Sequence, residues 1–389
     1  MFKEGLSGYE GPRTVRESEI AAAADLARSI FFPQSESLEQ AVEAWPMARH
    51  REYAANTFGM FYQGQPVSLV SRLEREMVVW GYSLRLGFIG GVCTHPEHRG
   101  KGLASTLLEA SLNRFRENGV DFVYISGARS LYYQAGAHHV STGLGFRLRR
   151  SHLAGIEAAA VQLREAEAGD AALLSTLSHR AGVRFVRPRE DYDLILQYRH
   201  CSGRACRFLI VEQRQSPQGY LLVAPPAEEY RPSQHILEYC GDDSLVLAAL
   251  AGWIAAGNPE LELYLEVPAS DPLAARLQEL GAAAKPVGTS GTVKVLDFCR
   301  TMVKLQPYFE SRLGQAALRS LQRVAGRGRY VLHTDRDILE IEGETNLLWT
   351  LLGAPPGEQV QQVRATGVLA ELVAQCLPLP LPSLHLNMI

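Results

Sequence analysis

Four short patterns occur twice in this chain, in the same order, and that repeat limits the folds open to it more than any other feature. "TVRESEIAAAADLA" (Thr14 to Ala27) answers to "QLREAEAGDAALLSTL" (Gln162 to Leu177): a short strand, an Arg-Glu pair, then a helix. "FGMFYQGQPVSLV" (Phe58 to Val70) answers to "FLIVEQRQSPQGYLLV" (Phe208 to Val223), each two strands around a polar turn. "VDFVYISG" (Val120 to Gly127) and "LELYLEVP" (Leu261 to Pro268) both read as buried strands after long helices. Short helices closing on Gly-Ala follow them, "SLYYQAGA" (Ser130 to Ala137) and "DPLAARLQELGA" (Asp271 to Ala282). The shared order predicts a duplicated α/β unit. After about residue 290 neither pattern continues, and a strand, a helix, the hairpin "RYVLHTDRDILEIEG" (Arg329 to Gly343), two helical stretches and a proline-punctuated end form a third unit. The expected domains are therefore 1–150, 151–290 and 291–389, a division that suits a length of 389 residues.

The two copies differ at one turn. "FIGGVCTHP" (Phe88 to Pro96) reads as a strand, and "LASTLLEASLNRFREN" (Leu103 to Asn118) as a helix with an apolar stripe at Leu103, Leu107, Leu108, Ala110 and Leu112. Between them, Arg99 to Gly102 sits at a helix N-terminus, where free backbone N–H groups and the helix dipole favour an anion. Glycines let the backbone approach it, and Arg99 and Lys101 add charge. The second copy has "EYCGDDSLVLAAL" (Glu238 to Leu250) instead, with two aspartates and no base, and would repel the same anion. "RVAGRG" (Arg323 to Gly328) repeats the Arg and Gly spacing, but it reads as following a helix and preceding a strand, so no helix N-terminus faces a ligand there. Cys93, His95 and His98 crowd together just before the first turn, which speaks against a metal site.

Composition narrows the partners. A net charge of −3 gives no general attraction to nucleic acid or anionic membrane, so an anionic ligand must be held locally. "RLRRSH" (Arg147 to His152) is the densest basic run and reads as a solvated strand end. The first residues lack the apolar stretch of a signal peptide, and the longest apolar run, Leu245 to Ala256, is too short to span a bilayer, so a cytoplasmic protein is expected. Six cysteines without paired CxxC motifs predict reduced thiols, and "CSGRAC" (Cys201 to Cys206) lacks a second ligand pair for zinc.

The spacing Arg99-x-x-Gly102-x-Ala104, after a strand and a proline, resembles the pyrophosphate-binding signature R/Q-x-x-G-x-G/A of the GNAT acetyltransferase superfamily. The resemblance implies that Arg99, Gly100, Lys101 and Gly102, with Leu103, Ala104 and Ser105 opening the helix, hold the pyrophosphate of acetyl-CoA as cosubstrate, without a metal. It places Val92 and Thr94 on a strand edge that bonds the pantetheine arm, with an amide near Val92 polarising the thioester carbonyl. It also implies a general acid four residues before a glycine, which is Tyr132 before Gly136, with Tyr133 its neighbouring competitor. The second copy has Leu277 at that position.

Many relatives carry a glutamate on the strand before the turn, yet "WGYSLRLGFIGGV" (Trp80 to Val92) has no carboxylate. That absence, with the three-unit layout, is similar to the Eis-like (enhanced intracellular survival) acetyltransferases: a GNAT domain, a degenerate GNAT copy and a small sterol-carrier-protein-like domain. The implied fold is α/β (α+β), and the implied base is the chain's terminal carboxylate, here that of Ile389. The implied activity is N-acetylation of a primary amine, aminoglycoside-, polyamine- or lysine-like, by direct attack in a ternary complex. A non-catalytic acetyl-CoA sensor or a carrier of a small apolar ligand is the alternative. No nucleic-acid or membrane partner is expected, and the family resemblance suggests a homo-oligomer, a hexamer.

Overall fold

The computed structural model describes residues 7–34, 54–226 and 232–387. The strands run β1 (Tyr9–Thr14), β2 (Thr57–Tyr62), β3 (Gln65–Val79), β4 (Tyr82–Thr94), β5 (Phe122–Ile125) and β6 (Ser141–Leu148). They continue as β7 (Gln162–Glu165), β8 (Val183–Val186), β9 (His200–Cys201), β10 (Arg204–Ala205), β11 (Arg207–Gln213), β12 (Ser216–Ala224), β13 (Gln234–Cys240), β14 (Leu263–Val267) and β15 (Ala284–Gly288). The last are β16 (Thr292–Val295), β17 (Gln322–Gly326), β18 (Arg329–His333), β19 (Ile338–Glu342) and β20 (Val363–Ala365).

These strands make two seven-stranded sheets, a four-stranded sheet and the small β9–β10 hairpin. In the first sheet, the order β1-β2-β3-β4 is antiparallel and β4-β5 is parallel. The second sheet has the same plan, with β7-β11-β12-β13 antiparallel and β13-β14 parallel. Each half also opens with an arginine on its first strand bound in a fork to an acid six residues on: Arg13 to Glu19, and Arg164 to Asp170. In the first half, the two tight hairpin turns put left-handed backbone at Gln63-Gly64 and Trp80-Gly81, the conformation that two-residue hairpins require.

The strands cross the expected boundaries at 150 and 290. β6 lies in the second sheet, between β14 and β15, while β16 closes the first sheet against β5, and β8 pairs with the far end of β3. Alternating side chains mark a segment as a strand, but they do not say which sheet edge will receive it.

Helix Leu103–Glu117 buries Leu103, Leu107, Leu108, Leu112 and Phe115 against the first sheet, while Ala110 is only half-buried. Sheet residues Leu86, Phe88 and Phe122 share a core with Phe298, Met302 and Leu305 of helix Phe298–Leu313, so the last unit packs directly on the first sheet. Two ion pairs cross between units: Arg75 of β3 gives its Nη2 to both carboxylate oxygens of Asp191 at 2.9 and 2.7 Å, a pair buried on both sides, and the half-buried Lys304 reaches the buried Asp121 at 2.7 Å. No helix among the described residues is long and apolar enough to cross a membrane.

Candidate active site

A fork in the first sheet creates the site. The parallel β4–β5 pairing stops at Ile89↔Ile125, while β4 runs on to Thr94 with no strand on that side among the described residues. Just past the fork β4 bulges: Gly91 and Val92 together face Val70 of β3. Gly91 takes φ +56, and a Cβ there would lie 3.1 Å from the Ser71 Oγ, so a larger residue would be strained and crowded. The bulge bends the strand locally where the fork opens.

β4 then passes through the short turn Pro96–His98 into helix Leu103–Glu117. Gly100 and Gly102 have φ +75 and +78, and a Cβ on either would meet nothing within 4 Å. The glycines thus serve conformation, and the space beside them is open. No side chain caps this helix, and its first bond inside the turn is Thr106 N–H to the Gly102 carbonyl. The amides of Leu103, Ala104 and Ser105 are therefore free for a ligand, as helix geometry dictates. Arg99 has no carboxylate partner among the described residues; its Nε donates to the Thr94 carbonyl at 3.2 Å.

A cavity of about 560 Å³ joins these parts, lined by Val92, Thr94, Arg99, Gly100, Gly102, Leu103, Ala104 and Ser105. Lys101 does not line it; its ammonium donates to the Tyr9 hydroxyl at 2.9 Å. Ile30, Cys93, His98 and Arg129 line it as well, and sequence reasoning did not assign them to the site. Cys93 and His98 stood beside the motif, whereas Ile30 and Arg129 come from other elements and gave no local signal. Burial pushes the Cys93 thiol up to about 12, which keeps it an inert apolar group.

Tyr132 is buried in one cluster with Val92, Leu103 and Ile125, and its hydroxyl makes no hydrogen bond among the described residues. Burial raises its pKa, while the nearby Arg129 guanidinium acts in the opposite direction. Tyr133 faces outward, 37% exposed, with its hydroxyl 3.0 Å from His139 Nε2. Ile389 lies outside the described residues. The chain leading to it is docked: Leu386 is buried in the core of the second half, and Asn387 is buried with its Oδ1 3.3 Å from Arg187 Nε. Phe185, at the end of β8, packs edge-on to Phe88 of β4 at 5.5 Å.

The second half is closed at both corresponding places. Its parallel pairing stops at Ile236↔Leu265, and the tail fills the space beyond, with Ser383 Oγ donating to the Leu237 carbonyl at 2.7 Å. Helix Asp243–Ala256 is capped by its own Asp242, which accepts from Leu245 N–H at 2.8 Å. The carboxylate thus occupies the seat that the first half leaves for an anion.

The remaining motifs are structural. Residues 323–328 lie in the β17–β18 hairpin rather than after a helix, and no helix N-terminus follows them. In the basic run, Arg147 bonds Ser233, Arg149 pairs with Glu262, and Arg150 caps the carbonyl end of helix Asp243–Ala256. Among the described residues, His95, Glu97 and His98 form the one group with the composition of a metal site, and there the Tyr9 hydroxyl already engages His98 Nδ1 at 2.8 Å.

Residues 12–140 match the family described as an acetyltransferase (GNAT) domain. No curated protein matches the sequence. The fold resembles a GCN5-related N-acetyltransferase from Kribbella flavida, with TM-score 0.63 and 16% identity over 95% of this chain and 97% of that one. It also resembles a GCN5-related N-acetyltransferase from Anabaena variabilis, with TM-score 0.56 and 14% identity over 92% and 85% of the two chains. Eis1 from Mycobacterium abscessus is similar too, with TM-score 0.55 and 14% identity over 91% and 84%. At such identities the likeness concerns the fold.

Proposed function

Residues 12–140 are an acetyltransferase domain of the GNAT family, which uses acetyl-CoA, and from that premise we propose that this chain transfers the acetyl group to a primary amine. One observation carries the reading: an open strand fork leads without interruption into an uncapped, arginine-flanked helix N-terminus. A pyrophosphate would sit on the amides of Leu103, Ala104 and Ser105 beside Arg99, and the pantetheine arm would follow the free edge from Thr94 to Gly90. The Val92 amide would then polarise the thioester carbonyl, and stabilise the charge that appears on it only in the transition state. Tyr132 would protonate the leaving sulfur.

The rest of the reading concerns the whole chain. Residues 151–290 act as a silent GNAT-like copy, whose fork is filled by the tail and whose anion seat is filled by Asp242. Residues 291–389 correspond to the sterol-carrier-like unit of Eis-like enzymes, and the likeness to Eis1 supports that layout. The base is the terminal carboxylate of Ile389, a role supported by the buried path of Leu386 and Asn387. The acceptor is an aminoglycoside-, polyamine- or lysine-like amine.

Calorimetry with acetyl-CoA tests the carrying observation. One site per chain is expected for the wild type, and affinity at least ~100-fold weaker for Arg99→Glu with Gly102→Asp, since charge-assisted contacts worth about 1.5–3 kcal/mol each become repulsive. No binding to folded wild type would refute the reading. Removing only Met388 and Ile389 is expected to lower thiol release with amine acceptors by about 10²-fold, the usual worth of a general base, while acetyl-CoA still binds. Unchanged turnover would exclude the terminal carboxylate.

A further inference from the structure

Two guanidiniums line the cavity, and the phosphate turn accounts for only one of them, Arg99. The other, Arg129, flanks the start of helix Ser130–Gln134, the short helix that carries Tyr132. It reaches back across the fork, so that its Nη1 lies 3.5 Å from the Val92 carbonyl oxygen. That is the thioester end of the site as read above. No carboxylate among the described residues pairs with it, so its charge is free to meet a ligand.

The chemistry at this place has a difficulty that a cation would relieve. Tyr132 must give its proton to a leaving thiolate, and by the ordinary side-chain values of cysteine, near ~8.5, and tyrosine, near ~10, a thiolate is the weaker base of the two. Burial pushes Tyr132 higher still, and Arg129 is the charged group that opposes the shift. The same charge would stabilise the thiolate as well, so what a cation eases is the breaking of the C–S bond before the proton arrives.

We propose that Arg129 is a catalytic residue of the acetyl transfer, whose guanidinium holds the negative charge that collects on the coenzyme A sulfur beside the Tyr132 hydroxyl. The proposal rests on the acetyltransferase reading. The amine lone pair forms the C–N bond, and the C–S bond breaks with its electron pair on sulfur. The Tyr132 proton moves to that sulfur, and the surplus proton of the amine goes to the base. Solvent then carries a proton from the base back to the phenolate, so the enzyme ends unchanged. The oxyanion of the addition step is left to the Val92 amide; once the C–S bond breaks, the negative charge passes to the sulfur and then to the Tyr132 phenolate, on the side of the fork that Arg129 reaches.

Coenzyme A, the product, is the probe that separates this proposal from the acetyltransferase reading. Its thiol is titrated while bound to the full chain, by thiolate absorbance, in wild type and in Arg129→Gln. An opposite charge at contact distance shifts a pKa by about 1–3 units, and the solvent-facing Arg129 belongs at the low end, so the bound thiol should ionise about 1 pH unit lower in wild type. In parallel, Arg129→Gln should lose about 10²-fold in kcat with the KM for acetyl-CoA within about threefold, and Arg129→Lys should recover much of the rate. Equal ionisation of the bound thiol in the two proteins would overturn the proposal. So would a loss confined to KM, which would make Arg129 a contact to the pantetheine arm. If coenzyme A fails to bind the wild type at all, the acetyltransferase reading itself falls and takes the proposal with it.

Discussion

A Tyr132→Phe variant is expected to bind acetyl-CoA as the wild type does and to lose about 10³-fold in kcat, within the range of a removed general acid. The substitution is clean because it deletes one oxygen from a side chain whose ring is held by Val92, Leu103 and Ile125. The hydroxyl bonds nothing among the described residues, so no buried partner is stranded and stability should hold. Burial keeps the phenol protonated beyond its ordinary value near ~10, so the acid is present throughout the neutral range and fails only as pH rises through that raised pKa. The variant should lack this alkaline limb in its rate profile. Tyr133→Phe is the control. Its hydroxyl faces outward to His139, so only about a twofold change is expected from losing one exposed hydrogen bond. An unchanged kcat in Tyr132→Phe, or equal losses in both variants, measured by thiol release, would mean that the acid lies elsewhere.

What was legible in the sequence is what local physics controls. The helix after Gly102 showed itself through its 3.6-residue stripe, and Gly100 and Gly102 read as letting the backbone approach an anion; their positive φ is what the structure adds. The bulge at Gly91 was missed, and the segment read as a plain strand, although adjacent glycines inside a strand pattern, "FIGGV", are the signal that points to one. The aspartates of "GDDS" were legible as repulsive, but not as a cap that itself fills the anion seat. Arg129 and Ile30 gave nothing, because they join the cavity only when the Ser130 helix and the first helix pack beside β4. The strand exchange was equally silent. Hydrophobic alternation in β6 and β16 is the same whichever sheet takes them, and their partners lie more than a hundred residues away in sequence.

A fragment of residues 1–150, cut at the boundary that the repeat suggests, is expected to bind no acetyl-CoA and to lack a fixed fold. It would keep the glycine turn and Tyr132 but lose β16, which covers β5 from Val295↔Phe122 to Thr292↔Ile125, right at the fork. Its own β6 would have no sheet, since both neighbours, β14 and β15, come later in the chain. Phe88 would lose Phe185, and Leu86 and Phe122 would lose the cover of Phe298, Met302 and Leu305. Arg75 and Asp121, buried in the full chain, would part from Asp191 and Lys304. Breaking a pair buried on both sides, as Arg75–Asp191 is, costs about 3–5 kcal/mol where the remaining charge stays buried, a large share of the ~5–15 kcal/mol by which a domain is stable. Amide dispersion in an NMR spectrum decides the matter, with calorimetry alongside. A well-dispersed fragment with full-length affinity would show that the first sheet stands alone and that the crossing strands add nothing to the site. Collapse of the fragment would mean that the later units are retained because the catalytic fork cannot be held open without them.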